Sequence, residues 1–273
     1  MTATTDTGPR RAPAVAPWLV RHVVPAVAAP VVILALWQAL VRGFNVESFV
    51  LPAPTEIGAA LAANLTTILA ASVVTVQAVL LGLLTGVAGG VTVALLLARF
   101  RSISAPVLTV AVIVNCAPIV ALAPIFNNWL GTASIASKAG VAAIMVFFPV
   151  LVNTARGLLD ISPLHLEVMA SMAATPRQVA LRARLPHALP YLFNGVKLGA
   201  TLSVIGVIVS EYFGGLANAL GVYIAQMAAL PRYAEAWAGI LVAAALGLAL
   251  FGAINLLERL LMPWHATVRS TAD

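Results

Sequence analysis

The chain has 273 residues, 62% apolar and only 9% charged, with a formal net charge of +6 and one cysteine. That much apolar side chain exceeds what a single soluble core encloses, which excludes an ordinary soluble domain and points to an integral membrane protein. The lone Cys116 excludes an internal disulfide or a cysteine metal cluster and reads as a small packing hydrophobe, while the excess of Lys and Arg fits cytoplasmic loops and headgroups rather than nucleic acid.

Residues 1–16, rich in Thr, Ala, Pro and Arg, read as a disordered tail. Residues 17–265 then form one transmembrane domain, and 266–273 a second short tail. Crossing a hydrocarbon layer takes about 20 helical residues. Six apolar runs meet that demand: Val23 to Val41, Ile68 to Ala98, Ala105 to Ile125, Ile135 to Val152, Tyr191 to Ser210 and Ala236 to Leu257. None shows the polar and apolar alternation of a barrel strand, so the fold class is an all-α membrane protein with six transmembrane helices.

The first run follows Arg10, Arg11 and Arg21 like a signal peptide, but it is long, carries Pro25 and Pro30, and ends at Trp37 and Gln38 with no cleavage context. It is a retained helix. After it, "LPAPTEIGAALAANL" opens with Pro54-Thr55 as an amphipathic helix on the outer surface. The second run is too long for one perpendicular crossing, so it tilts or begins outside the bilayer. Its Gly82, Gly86 and Gly90 fall at four-residue intervals, a small-residue strip for close packing, more within one subunit than across a dimer. In the third run Asn115 is followed by Pro118 and Pro124, and the carbonyls those prolines free need protein or water partners.

An amino terminus in the cytoplasm places Arg10, Arg11, Arg21, Arg99, Arg101, Arg156, Arg177, Arg182, Arg184, Lys197, Arg259 and Arg269 inside, and only Arg42, Lys138 and Arg232 outside. The asymmetry puts both termini in the cytoplasm, along with the polar stretch between the fourth and fifth runs. In that stretch Ser162-Pro163 starts one short helix, and Thr175-Pro176 with Gln178 starts a second with capping-box spacing. Leu164, Val168, Met169 and Met172 recur at helical spacing, with Glu167, Arg177, Arg182 and Arg184 on other faces. Such an elbow is either an amphipathic loop resting on headgroups or a docking knob for a soluble partner.

The stretch "LHLEVMASMAATPRQVALRARLPHALPYL" resembles the cytoplasmic loop signature of bacterial ABC importer permeases: Glu-Ala-Ala, three residues, Gly, nine residues, Ile, one residue, Leu-Pro. Glu167 fills the Glu position, and Leu185 and Pro186 close it at the same spacing. Val168 and Met169 stand for the alanines, Ala173 for the glycine and Ala183 for the isoleucine. Alanine resists a positive φ, so the elbow is expected to be tighter toward helix than in other members. "FVLPAPTEI", "APIVALAPIFNNWLG", "PHALPYLFNGVKLG" and "GLANALGVYIAQMAA" carry the resemblance over about nine tenths of the chain, to the nitrate/sulfonate/taurine branch.

The resemblance implies a type I ABC importer permease fold in the bacterial inner membrane, with residues 156–190 as the cytoplasmic coupling loop. It implies three partners: a second permease copy, a dimer of ABC ATPase subunits and an extracytoplasmic substrate-binding protein. Glu167, Met169, Met172, Ala173, Arg177, Leu185 and Pro186 are then the ATPase-coupling residues, Glu167 as a charged contact and the two methionines as apolar anchors. No cofactor is expected on this chain; ATP and Mg belong to the partner ATPase. The stretch "GTASIASK", Gly131 to Lys138, lacks the second glycine of a phosphate loop. His22, His165, His187 and His265 are scattered and read as interfacial or loop residues.

Candidates for the translocation pathway are polar residues that would be costly facing lipid: Asn115, expected to face the interior, then Gln77, Ser203 and Glu211. Helix-to-helix hydrogen bonding is the alternative for Asn115 and Gln77, and a solvated gate-edge position for Glu211. Asn127 and Asn128 are expected at the outer mouth. "EYFGGLANALGVYIAQMAA" is closer to permeases for pyrimidine or vitamin-precursor compounds than to those for taurine or nitrate. The competing function is a stand-alone secondary transporter or channel, which calls for intramembrane ionisable residues; a third is a membrane scaffold that transports nothing.

Overall fold

In a computed structural model, residues 24–262 are described; the predicted tails, His22, His265 and the arginines at 10, 11, 21 and 269 lie outside them. The described chain is built from helices: α1 (Val24–Gly43), α2 (Pro54–Arg99), α3 (Arg101–Asn115), a 3-10 turn (Ile119–Leu122), α4 (Ala123–Leu130), α5 (Ile135–Leu159), α6 (Pro163–Ser171), α7 (Pro176–Val179), a π turn (Ala180–Arg184), α8 (Leu185–Tyr212), α9 (Leu220–Ala229) and α10 (Tyr233–Leu261). Among the described residues, four continuous helices are long and apolar enough to cross a membrane: Pro54–Arg99, Ile135–Leu159, Pro176–Tyr212 and Tyr233–Leu261. Large side chains such as Leu84 and Leu248 stand exposed along them, as a lipid-facing surface requires.

The predicted surface helix and second span are one element. α2 runs for 46 residues and bends at Asn64, whose φ of -114° and ψ of 16° leave the helical region. Asn64 donates its side-chain amide to the Ala60 carbonyl at 2.9 Å. The bend separates an arm of about three turns from a long span, as the prolines and length suggested. The predicted third span, by contrast, is not a single helix. α3 stops at Asn115 because Pro118 disfavours helical geometry at the residue before it, and the chain continues through the 3-10 turn into the eight-residue α4.

Glycines set how the long helices meet. A Cβ at Gly82 would lie 2.6 Å from the Ala142 Cβ, one at Gly86 2.6 Å from the Ala143 carbonyl oxygen, and one at Gly90 2.9 Å from the Phe147 carbonyl oxygen. The strip is thus an intrachain seam, and its register shows α2 and α5 running parallel. α8 runs the opposite way against α5, with Gly195 on Pro149 and Gly206 on Ala142 and Met145. α10 follows α8 in reverse, tied by an ion pair between Lys197 and Glu258. Near the other end Gly239 of α10 packs on Tyr223 and Ile224 of α9. The bundle therefore has two ends. The elbow, Arg99 and Arg101 lie at one; Thr75, Lys138, Glu211 and α9 lie at the other.

The core follows this axis. Leu97, Phe148, Leu151, Leu158 and Ala188 pack near the elbow end, and Ile57, Ile68, Leu220, Tyr223 and Ala238 at the far end, flanked by Trp37 and Trp237. These two indoles meet edge-on with centroids 5.5 Å apart and fasten α1 to α10. The Gln38 side chain accepts the Thr55 amide at 3.2 Å, so α1 is also stitched to the start of α2.

Candidate functional site

The elbow is made by helix starts and stops the sequence encodes. α6 begins at Pro163, a position where a missing N–H costs nothing. Thr175 accepts the Gln178 amide at 3.4 Å while Gln178 accepts the Thr175 amide at 2.7 Å, so the predicted capping box forms. The second helix is not a separate short element, however; it is the first turn of the helix that continues through α8. Pro186 lacks the amide that a regular turn would donate to Arg182, and the turn before it widens, with the Leu185 amide reaching back to Ala180.

The stop between the helices departs from expectation. Ala173 adopts φ of 51°, in the left-handed region. Its amide donates to Ala170 at 2.9 Å and the Ala174 amide to Met169 at 3.0 Å. This pair of bonds is the helix ending that glycine ordinarily makes. The alanine does not tighten the elbow toward helix; it takes the glycine conformation and bears a Cβ there.

Around this turn Glu167, Arg177, Leu185 and Pro186 are exposed, Met169 is half-buried and Met172 is 73% exposed. Leu164 and Val168 are exposed as well. Of the seven predicted coupling residues, Glu167, Met169, Met172, Ala173 and Arg177 lie on or beside this turn, whereas Leu185 and Pro186 begin α8 beyond the π turn; among the described residues Glu167 has no ion-pair partner. The chemistry of the elbow suits a groove that covers methionine and leucine and supplies a cation or amide to Glu167.

The predicted pathway residues do not share a site. Asn115 is not mid-helix and is not enclosed: it is the last residue of α3, exposed on the chain's own surface, where Pro118 breaks the helix. Cys116 beside it is exposed rather than packed, its thiol donating to Val112 at 3.3 Å. Gln77 is exposed on α2. Ser203 is fully buried and donates to the Ala200 carbonyl at 2.8 Å, so it faces no channel within the chain.

Glu211 is not a solvated gate-edge residue either; it is 2% exposed. Its carboxylate accepts the Thr75 hydroxyl at 2.9 Å and the Gly221 amide at 2.8 Å. The Thr75 oxygen in turn accepts the Leu220 amide at 3.0 Å. Ala219, the N-cap of α9, has no side chain to offer, so a carboxylate on α8 and a hydroxyl on α2 cap α9 across the bundle. Alongside, Lys138 is 3% exposed and donates to the Asn127 side chain and the Thr132 carbonyl, both at 2.6 Å. Ser137 also donates to Asn127, which reaches the Gly214 carbonyl at 3.4 Å. Asn127 is therefore a buried clamp rather than a mouth residue; Asn128 is exposed. The void between Lys138 and Glu211 is about 10 Å³, too small for a solute.

Sequence reasoning placed Lys138 outside and gave Thr75 no part. A lysine at the fourth position of an apolar helix, four after its serine cap, is the signal that could have found this buried cluster.

Residues 78–263 match the family described as "Binding-protein-dependent transport system inner membrane component". The chain belongs to that family. A formylaminopyrimidine transport permease protein of Halalkalibacterium halodurans is 33% identical over 191 residues, covering 70% of this chain and 76% of that one. A riboflavin transport system permease protein of Chloroflexus aurantiacus is 32% identical over 251 residues, 89% and 92% of the two chains. A taurine transport system permease protein of Escherichia coli is 26% identical over 209 residues, 77% and 71%. This ABC permease is thus a transport component of a membrane, and the matched segment includes the elbow, Lys138 and Glu211 but not Thr75.

Proposed function

We propose that this permease is the membrane subunit of an ATP-driven importer of the type I fold, receiving a small solute from a binding protein and passing it to the cytoplasm by alternating access. Its six crossings are α1, α2, the broken α3-to-α4 segment, α5, α8 and α10, with both termini and the elbow in the cytoplasm of a bacterial inner membrane. The observation that carries the reading is the elbow: an exposed turn at one end of the bundle, presenting Glu167, Met169 and Met172 between two helices that span its full length. Force applied at the elbow passes directly into α8 through the continuous Pro176–Tyr212 helix, and into α5 through the short link at 160–162.

The engine is a separate ATPase pair, which holds the ATP and Mg; this chain contributes Glu167, Met169, Met172, Ala173, Arg177, Leu185 and Pro186 to the joint. A second copy of the chain completes the translocation path, so that Asn115 and Gln77, exposed on one subunit, line the boundary between two. Ser203 instead is packed inside α8, and Glu211 caps α9. The names of the formylaminopyrimidine and riboflavin relatives support a small heteroaromatic vitamin-type solute over a sulfonate. Differential affinity for the outward and inward states is what allows solute delivery and ATP binding to drive the cycle.

Co-purification of the tagged permease with the ATPase subunit encoded beside it tests this. The native chain retains the ATPase, and Glu167→Arg loses it while still eluting as a folded species. Unaltered retention by Glu167→Arg refutes the joint. A stand-alone carrier would need a titrating group open to water, and among the described residues Glu211 is the one buried carboxylate; its bonds to Thr75 and Gly221 weigh against that. Proton-driven uptake by the purified chain alone in liposomes would overturn the importer reading.

A further inference from the structure

A cleft of about 730 Å³ opens at the elbow end, where α2 finishes, α3 begins and the elbow turns back. Arg99, Arg101 and Arg184 ring it, and Leu95, Leu158 and Val179 form apolar walls. Among the described residues, none of the three guanidinium groups has a carboxylate within ion-pair distance. The first turn of the fifteen-residue α3 opens into the same region without a side-chain cap and without an acidic residue. Three like charges and the positive end of a helix converge with nothing to neutralise them.

We propose that this cleft seats the phosphate headgroup of an anionic phospholipid. Guanidinium groups bind phosphate oxygens through paired N–H donors, and three arginines plus free helix amides suit one phosphodiester. The apolar walls accept the glycerol and upper acyl region, which a free phosphate would leave uncovered. The cleft lies at the ends of membrane-spanning helices, the depth at which headgroups sit. Ala174 and Pro176 of the elbow line it too, so the bound lipid bridges the α2-to-α3 corner and the elbow. The site depends on the chain spanning a membrane and not on its solute or on the direction of transport.

The full-length chain, purified in detergent, is incubated with phosphatidylglycerol or with phosphatidylcholine of the same acyl chains, and bound lipid is read by native mass spectrometry. Phosphatidylglycerol is expected to be retained preferentially. Replacing all three arginines (Arg99→Gln, Arg101→Gln, Arg184→Gln) lowers that retention about a hundredfold, at about fivefold for each cation near a phosphate, while Arg42→Gln at the opposite end of the bundle leaves it unchanged. Should the triple variant not elute as a folded species, Arg101→Gln alone gives the same reading at about fivefold. Equal retention of the two lipids, an unchanged preference in the variants, or inorganic phosphate at millimolar concentration competing the lipid off would each overturn the proposal. Loss of ATPase association with lipid preference intact would strike the importer reading and leave this one standing.

Discussion

Ala173 is where the elbow is most sharply testable. Its φ of 51° places a Cβ in the left-handed region, which raises the energy of an L-residue by about 1–2 kcal/mol. Ala173→Gly removes that strain but widens the unfolded ensemble, which offsets about 0.4–1 kcal/mol. The net gain is about 0.5–1 kcal/mol, and a factor of ten corresponds to about 1.4 kcal/mol. The amides of Ala173 and Ala174, bonded to Ala170 and Met169, should therefore exchange with deuterium about two to five times more slowly in the glycine variant. Ala173→Val, whose branched side chain tolerates a positive φ least, should speed the same exchange. Hydrogen exchange of the purified permease read by mass spectrometry on the peptide covering 168–176 measures both. Faster exchange in the glycine variant, or no response to valine, would refute a strained left-handed stop.

Gly86→Val sets a Cβ 2.6 Å from the Ala143 carbonyl, so α2 and α5 must separate; a loss of about 1–3 kcal/mol should appear as a lowered Tm of the purified chain. Thr75→Val keeps the side-chain shape but leaves the Leu220 amide without its acceptor and Glu211 with the Gly221 amide but no hydroxyl donor, which costs about 1–3 kcal/mol and should raise exchange across residues 216–224 while sparing the elbow. Lys197→Met alone strands the half-buried Glu258 and should destabilise by about 1–3 kcal/mol, whereas Lys197→Met with Glu258→Leu should recover most of that in a thermal melt; an equal loss in both would refute a stranded charge as the cause.

What could be read in advance follows from how local each signal is. The Thr175 and Gln178 box, the proline starts and the glycine strip depend on spacing along one helix, and all three formed where the residues placed them. The break after Asn115 was written in Pro118, but the hydropathy of the run outweighed it. Lys138 and Glu211 are far apart in sequence; charge counting put Lys138 outside, and Glu211 read as a pathway or gate-edge residue, whereas only the folding back of α8 and the α4 corner supplies the amides and hydroxyls that make their burial tolerable. The conformation of Ala173 was misjudged for a related reason. Intrinsic preference argues against a left-handed alanine, yet the two bonds closing α6 and the reversal of the chain outweigh about 1–2 kcal/mol of local strain.

The central claim is that a separate ATPase grips the elbow from inside the cell. Met172→Cys, made in a Cys116→Ser background because both positions are exposed, gives one thiol at the tip of the turn. A membrane-impermeant maleimide should leave intact cells unlabelled, label inverted vesicles that lack the ATPase, and label them far less once the ATPase is bound. Labelling of that thiol in intact cells, or full labelling of the assembled complex, would contradict the account.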